Sequence, residues 1–287
     1  QIGVAVIHAP GCADLSRKIE QRFGKRGLAR IHVRKYTDGQ LFLHAFRRFL
    51  CFLLVIRAIA LSFLPGTGNG IAAAGQRTMT KFIKGKGACK AELREIFGLE
   101  TNDKPIAAVV SRLVEHKGFD LVKNVAERLV HEGYQLVVLG TGEAQYEDFF
   151  SYMAYKYPGQ VGVKLAFIPA LARKIYAGSD MFIMPSKSEP CGLSQMIALR
   201  YGTIPIVRET GGLKDSVKDS QDGVGNGFTF TNYSADELYG ACMRAYEGYQ
   251  DTKGWRLLVK RAMQSDCSWK NSAKEYIRMY EDTMKLW

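Results

Sequence analysis

The chain has 287 residues, which at roughly 150 residues per domain allows about two domains and a large buried core. Its apolar fraction of 47% and charged fraction of 24%, with 29 Gly and only 8 Pro, exclude disulfide miniproteins and collagen-like or disordered chains. The net charge of +12 is unevenly spread: residues 1–100 carry 17 Lys and Arg against 6 Asp and Glu, whereas residues 101–287 carry 23 against 22.

The basic excess is therefore local, and no acidic residue falls between Gly39 and Ala91. One reading is a polyanion-binding arm. The other, a divergent or mistranslated stretch, is favoured because the segment lacks the helical or aromatic spacing of nucleic-acid modules. Residues 1–80 are accordingly expected to be an atypical basic segment ahead of a domain over 81–287, with no nucleic-acid partner. The run from Phe49 to Leu64 is 16 residues long and broken by Arg57, short of the about 20 apolar residues of a membrane span. A buried helix, or an artefact of the sequence, is expected there rather than a membrane anchor. The first residues lack the basic-then-apolar order of a signal sequence. The six cysteines form no C-x-x-C pair, which points to a reduced, cytoplasmic compartment.

From Lys104 onward, short apolar runs alternate with amphipathic stretches of helical period. Strands are predicted at 105–111, 134–140, 161–167, 181–186 and 203–209, with a short one at 226–230. Between them fall helices at 120–133, 143–159, 169–180 and 191–202. The first buries Leu121, Val125, Leu129 and Val130 and ends at Gly133; the third begins at Pro169. Three helical stretches follow, at 235–249, 252–266 and 268–285. Apolar strands joined by helices must lie parallel with both faces covered, so the fold class is α/β, a Rossmann-like doubly wound parallel sheet.

Ligands of such sheets bind beyond the carboxyl ends of the strands, among loops and helix N-termini. Four loops are expected to meet on that rim. The first carries Arg112 and Lys117, a fork and a point charge suited to a diphosphate. The second is Gly140-Thr141-Gly142, which either admits a ligand close to its backbone or is a plain strand-to-helix turn. The third places Glu189 and Cys191 before the amides of Gly192, Leu193 and Ser194, where a carboxylate can accept sugar hydroxyls beside an amide-bound phosphate. The fourth, Thr210-Gly211-Gly212, is a second glycine turn or a tight connection. Phe167, after the third strand, either stacks on a base or joins the core.

No Asp-x-Asp pair, H-E-x-x-H or G-x-S-x-G occurs, so the familiar signatures of metal-bound nucleotide diphosphates, zinc sites and serine hydrolases are missing. A near P-loop at 70–78 has Gln76 where the lysine belongs. No metal or cofactor is expected; basic side chains and amides would neutralise the phosphates.

The segments SRLVEHKGFDL (111–121), KIYAGSDMFIMPSKSEPCGLSQMIALRYGTIPIVRETGGLKDSV (174–217) and SWKNSAKEYIRMY (268–280) resemble the C-terminal half of bacterial glycogen synthases and plant starch synthases. The resemblance runs from about Lys81 to Trp287. It implies the C-terminal domain of a GT-B fold and retaining transfer of glucose from ADP-glucose to the 4-hydroxyl of an α-1,4-glucan, in the cytoplasm, or in the plastid of a plant. It further implies that Arg112 and Lys117 grip the diphosphate and stabilise the leaving ADP. Glu189 would hold the donor glucose with the Gly192-Leu193 turn and the Thr-Gly-Gly loop, and Phe167 would lie against adenine. The sequence departs from the family at Ser188, in place of an aromatic, and at Cys267, in place of a phenylalanine. The family's Lys-x-Gly-Gly loop and cleft histidine are not recognisable in residues 1–80, so His8, His32 and His44 take no role. A catalytically silent nucleotide-sugar-binding fragment, or another metal-independent GT-B transferase, is the alternative.

Overall fold

A computed structural model describes residues 76–285 of the chain, which from Met79 onward form one compact unit. The basic segment before residue 76, the Phe49–Leu64 run, the three early histidines and most of the near P-loop lie outside the described residues.

Six parallel strands make one sheet: β1 (Ile106–Val110), β2 (Gln135–Leu139), β3 (Val161–Lys164), β4 (Met181–Met184), β5 (Ile204–Arg208) and β6 (Phe228–Phe230). Their spatial order is β3-β2-β1-β4-β5-β6. The chain thus builds outward from β1 to one edge, returns to the middle, and builds outward from β4 to the other. The crossovers are α2 (Phe119–His131), α3 (Ala144–Lys156), α4 (Pro169–Gly178), α5 (Ser194–Arg200) and α6 (Gly211–Ser216). An entering helix α1 (Gln76–Phe97) and a closing series α7 (Ala235–Gln250), α8 (Thr252–Gln264) and α9 (Trp269–Met284) complete the unit.

Alternation along the strands separates two apolar layers. Ala107, Val109, Leu136, Val138 and Ile183 cluster with buried residues of α2, α3, α7 and α8. Ile106, Ala108, Val137, Leu139 and Phe182 cluster with those of α1, α4 and α5. Both faces are covered, which is why the strands read as unbroken apolar runs rather than alternating ones.

Four elements differ most from the sequence expectation. The third strand stops at Lys164 instead of residue 167, because among the described residues β3 is an edge paired with β2 alone, and β2 ends at Leu139 opposite Lys164. The helix expected from Cys191 starts at Ser194, since Gly192 takes a left-handed conformation at φ 71°. Helices α1 and α6 were not anticipated. The first owes its place to tertiary contacts along one stripe, Lys86, Lys90 and Arg94, spaced at i, i+4 and i+8. Lys90 pairs with buried Asp180 at 2.7 Å, and Asp180 accepts the Ile106 N–H at 2.8 Å. Arg94 is buried and donates to Gln135 Oε1 and the Lys104 carbonyl, each at 3.0 Å. Lys86 donates to Thr203 Oγ1 at 2.8 Å. This stripe closes the amino-terminal edge of the sheet and leaves the carboxyl edge open.

Burial lowers the Lys86 pKa to about 8, against a smaller opposing pull from Asp180. The unfolded chain therefore binds more protons than the folded one between about pH 8 and the ordinary lysine value, and stability rises with pH across that window. Urea unfolding at pH 7 and pH 9.5 should show the native chain gaining on Lys86→Met at the higher pH. A constant or shrinking difference would contradict this placement of Lys86.

Candidate functional site

The strand order reverses between β1 and β4, which are sheet neighbours although three helices and two strands separate them in the chain. At such a point the following helices leave on opposite faces and the loops above the strand ends part, opening a crevice. A cavity of about 300 Å³ lies there. Val109, Val110 and Ser111 line it from the end of β1, and Phe182, Ile183 and Met184 from β4. Lys117, Ser186, Glu189, Gly192, Leu193 and Ser194 complete the wall.

Lys117 sits in a 3-10 turn, Glu115–Lys117, that Gly118 closes in the left-handed conformation. Its ammonium donates to Glu189 Oε2 at 2.6 Å, and the Ser186 hydroxyl donates to the same oxygen at 3.3 Å. The two side chains are 20% and 11% exposed, so the pair is screened by protein more than by water. Glu189 Oε1 meets no donor among the described residues, nor do the N–H groups of Gly192 and Leu193 meet an acceptor. The cavity wall therefore offers a cation, a carboxylate oxygen and main-chain donors within one loop pair.

Arg112 is exposed, its side chain has no partner among the described residues, and it does not line the cavity. It stands on the same loop as Lys117, five residues earlier. Cys191 is exposed beside the site. Burial of its sulfur, followed by the Glu189 and Asp215 carboxylates, pushes its thiol pKa up, which keeps it protonated.

The two glycine turns have a structural task of their own. Gly140-Thr141-Gly142 packs against the loop that carries Arg112: Leu113 N–H donates to the Thr141 carbonyl at 3.0 Å, and Glu143 N–H to that of Leu113 at 2.8 Å. A Cβ on Gly140 would stand 1.8 Å from the Ser111 carbonyl oxygen, and Gly142 is blocked likewise by Leu113. Thr210-Gly211-Gly212 packs under the Glu189 loop in the same way. Gly212 N–H donates to the Glu189 carbonyl at 3.0 Å. A Cβ there would lie 2.0 Å from the Cys191 carbonyl oxygen, and one on Gly211 would meet that of Glu189. Close approach is required, and the backbone approached is the protein's own. Each turn buttresses one of the two loops that meet at the cavity.

Phe167 is 89% exposed, so it is not a core aromatic. It lies three residues past the end of β3, with β2 between that strand and the cavity strand β1. Sequence reasoning missed Ser186 and Arg208. Both fall inside the quoted family strings, but only the fold shows that Ser186 reaches the Glu189 carboxylate and that Arg208 donates to the Ser186 carbonyl at 3.1 Å.

The chain is similar to known proteins in sequence and in fold. The family model described as Glycosyl transferases group 1 matches residues 91–256. A Bacillus anthracis protein named glycogen synthase is 50% identical over 199 residues, which are 68% of this chain and 42% of that protein. A Clostridium novyi protein of the same name is 47% identical over 208 residues, 71% of this chain and 43% of that one. The chain thus spans less than half the length of these relatives. Among solved structures, the catalytic domain of Starch Synthase IV from Arabidopsis thaliana bound to ADP and acarbose superposes with a TM-score of 0.68 at 29% identity. That match covers 98% of this chain and 56% of the other.

Gly212→Ala should lower stability by about 1–3 kcal/mol, the usual cost of forcing atoms into filled space. Gly240→Ala, in open space on α7, should leave stability unchanged or raise it by up to about 1 kcal/mol. Chemical denaturation of both variants checks this; equal effects would remove the buttress.

Proposed function

The chain belongs to the group 1 glycosyl transferases, and from that premise we propose that its described part is the donor-binding half of a retaining α-glucan synthase. The reaction is transfer of glucose from ADP-glucose to the 4-hydroxyl end of an α-1,4-glucan. The observation that carries this reading is the Lys117–Glu189 pair on the wall of a cavity at the strand-order reversal. A nucleotide sugar presents a diphosphate beside a ring of hydroxyls, and the pair presents a cation beside a carboxylate.

Entry of the diphosphate sets its oxygens in competition with Glu189 for the Lys117 ammonium, an exchange of one charge-assisted bond for another. Glu189, relieved of its partner, accepts a hydroxyl of the donor glucose, and Ser186 keeps the carboxylate in place. The free amides of Gly192 and Leu193 add neutral donors for phosphate or sugar oxygens. Arg112, unpaired and exposed on the same loop, supplies the second cation. As the bond between sugar and diphosphate breaks, negative charge grows on the departing phosphate. Cations and amides already in position stabilise that charge without reorganising, and this is the main catalytic contribution of the half-site. The exposed ring of Phe167 offers a face for adenine. The Arabidopsis structure, with ADP and acarbose bound, and the glycogen synthase relatives support the adenine nucleotide and the glucan acceptor. The reaction belongs in the reducing cytoplasm, in keeping with the four described cysteines, all of them free.

Isothermal calorimetry tests the assignment. ADP should bind, and Lys117→Ala should weaken it by about 10- to 100-fold, the worth of a hydrogen bond to a charged group. Glu189→Gln should retain or tighten ADP binding, since Lys117 is then uncontested, while losing the preference for ADP-glucose over ADP. Absence of ADP binding by folded protein, or indifference to Lys117→Ala, would remove the assignment.

A further inference from the structure

Lys117 and Glu189 come from different loops, and a 2.6 Å contact between loops holds only if both are fixed at one separation. Neither loop is long enough to have a core of its own. The end of β5 and the connection from β6 to α7 supply what is missing. Arg208 directs all three nitrogens of its guanidinium at main-chain carbonyls. Nε donates to Ser186 at 3.1 Å, Nη2 to Lys187, and Nη1 to Thr231 at 3.3 Å. Ser186 and Lys187 stand three and two residues before Glu189.

The same guanidinium lies over the ring of Tyr233, 5.6 Å from its centroid, and Lys187 lies 5.5 Å from it. The hydroxyl of Tyr233 then reaches the other loop: it donates to Asp120 Oδ1 and lies 3.2 Å from the Glu115 carbonyl oxygen. These residues bracket Lys117. Two direct contacts complete the joint, Lys187 N–H to the His116 carbonyl at 3.0 Å and the Lys187–Glu115 ion pair at 3.2 Å. Neither Arg208 nor Tyr233 lines the cavity.

We propose that Arg208 and Tyr233 are positioning residues: stacked on one another, they tie the Glu189 loop to the Lys117 loop and set the distance between the carboxylate and the ammonium that receive the donor. The inference rests on the donor-site reading above, which names the ligand whose affinity reports that distance. The planar fork is essential, because a lysine at 208 can donate to one carbonyl strongly but cannot span both in a fixed plane. Tyr233 serves as a donor throughout the physiological range. Burial and then its bond to Asp120 raise its pKa far above the ordinary phenol value.

A double-mutant cycle with ADP calorimetry tests the link. Arg208→Met should weaken ADP by about 10-fold, as displaced binding groups do, and Arg208→Lys should recover part of that loss. In a Lys117→Ala background Arg208→Met should cost less than about twofold, because residues acting through one another are non-additive. A full, additive loss there would overturn the inference. Amide hydrogen exchange of the unliganded protein gives an independent readout. Arg208→Met should speed exchange in both 115–118 and 186–192 while β2 keeps its protection. Faster exchange in 186–192 alone would overturn the tie. If Arg208→Met does not fold, Tyr233→Phe takes its place, with about threefold weaker ADP binding and faster exchange in 115–118 expected, and unchanged values for both overturning the inference. Exchange linked as expected in a protein that binds no ADP would support the tie and remove only the donor reading.

Discussion

The ion pair between Lys117 and Glu189 is the contact on which the arrangement of the carboxyl edge depends. A carboxylate on a side chain that is 11% exposed is costly to hold in a protein unless a cation and a hydroxyl meet it. Here both do, across a gap that the topology itself creates. Because β1 and β4 are neighbours whose chains depart in opposite directions, no covalent geometry fixes their loops relative to each other. The ion pair, the glycine buttresses and the Arg208–Tyr233 stack perform that task. On the proposed reading the charges have a second use, since a diphosphate entering the cavity would replace this same interaction.

The two ends of the sheet are built to opposite purposes. At the amino edge, Lys90, Asp180, Arg94 and Gln135 satisfy one another and the strand-start backbone, leaving a sealed rim under α1. At the carboxyl edge, amides of Gly192 and Leu193 and one oxygen of Glu189 are left without protein partners among the described residues. All three groups belong to residues that line the one cavity described above. That contrast separates a binding edge from a structural edge more sharply than any one residue does.

Much of this was legible in the sequence. The strand and helix alternation gave the doubly wound sheet, because continuous apolar runs such as Ile106–Val110 have only one way to be covered on both faces. Lys117 and Glu189 were legible as chemistry at strand ends. Their mutual contact was not, since it depends on which strands are neighbours. The glycine turns were open to two readings, and the structure shows the tight-connection reading at work in both: the atoms that exclude a Cβ belong to Ser111, Leu113, Glu189 and Cys191. Helix α1 was hidden because its stabilising contacts are long-range, through Lys86, Lys90 and Arg94, and its interior contains Gly85 and Gly87, which lower intrinsic helix propensity. Phe167 gave no local signal of exposure; its position follows from β3 ending early at a sheet edge. Arg208 lay in plain sight within a strand, where an arginine is easily taken for solvated, and its three carbonyl contacts appear only when β4 and β5 are set side by side.

The central claim is that an incoming diphosphate takes Lys117 from Glu189. A crystal structure of the chain with ADP bound tests it most directly. The account predicts a phosphate oxygen within roughly 2.7–3.2 Å of Lys117 Nζ, with the Glu189 carboxylate still in the cavity wall beside Ser186. A nucleotide seated away from the β1–β4 reversal, or one whose phosphates leave the Lys117–Glu189 pair intact and untouched, would contradict it.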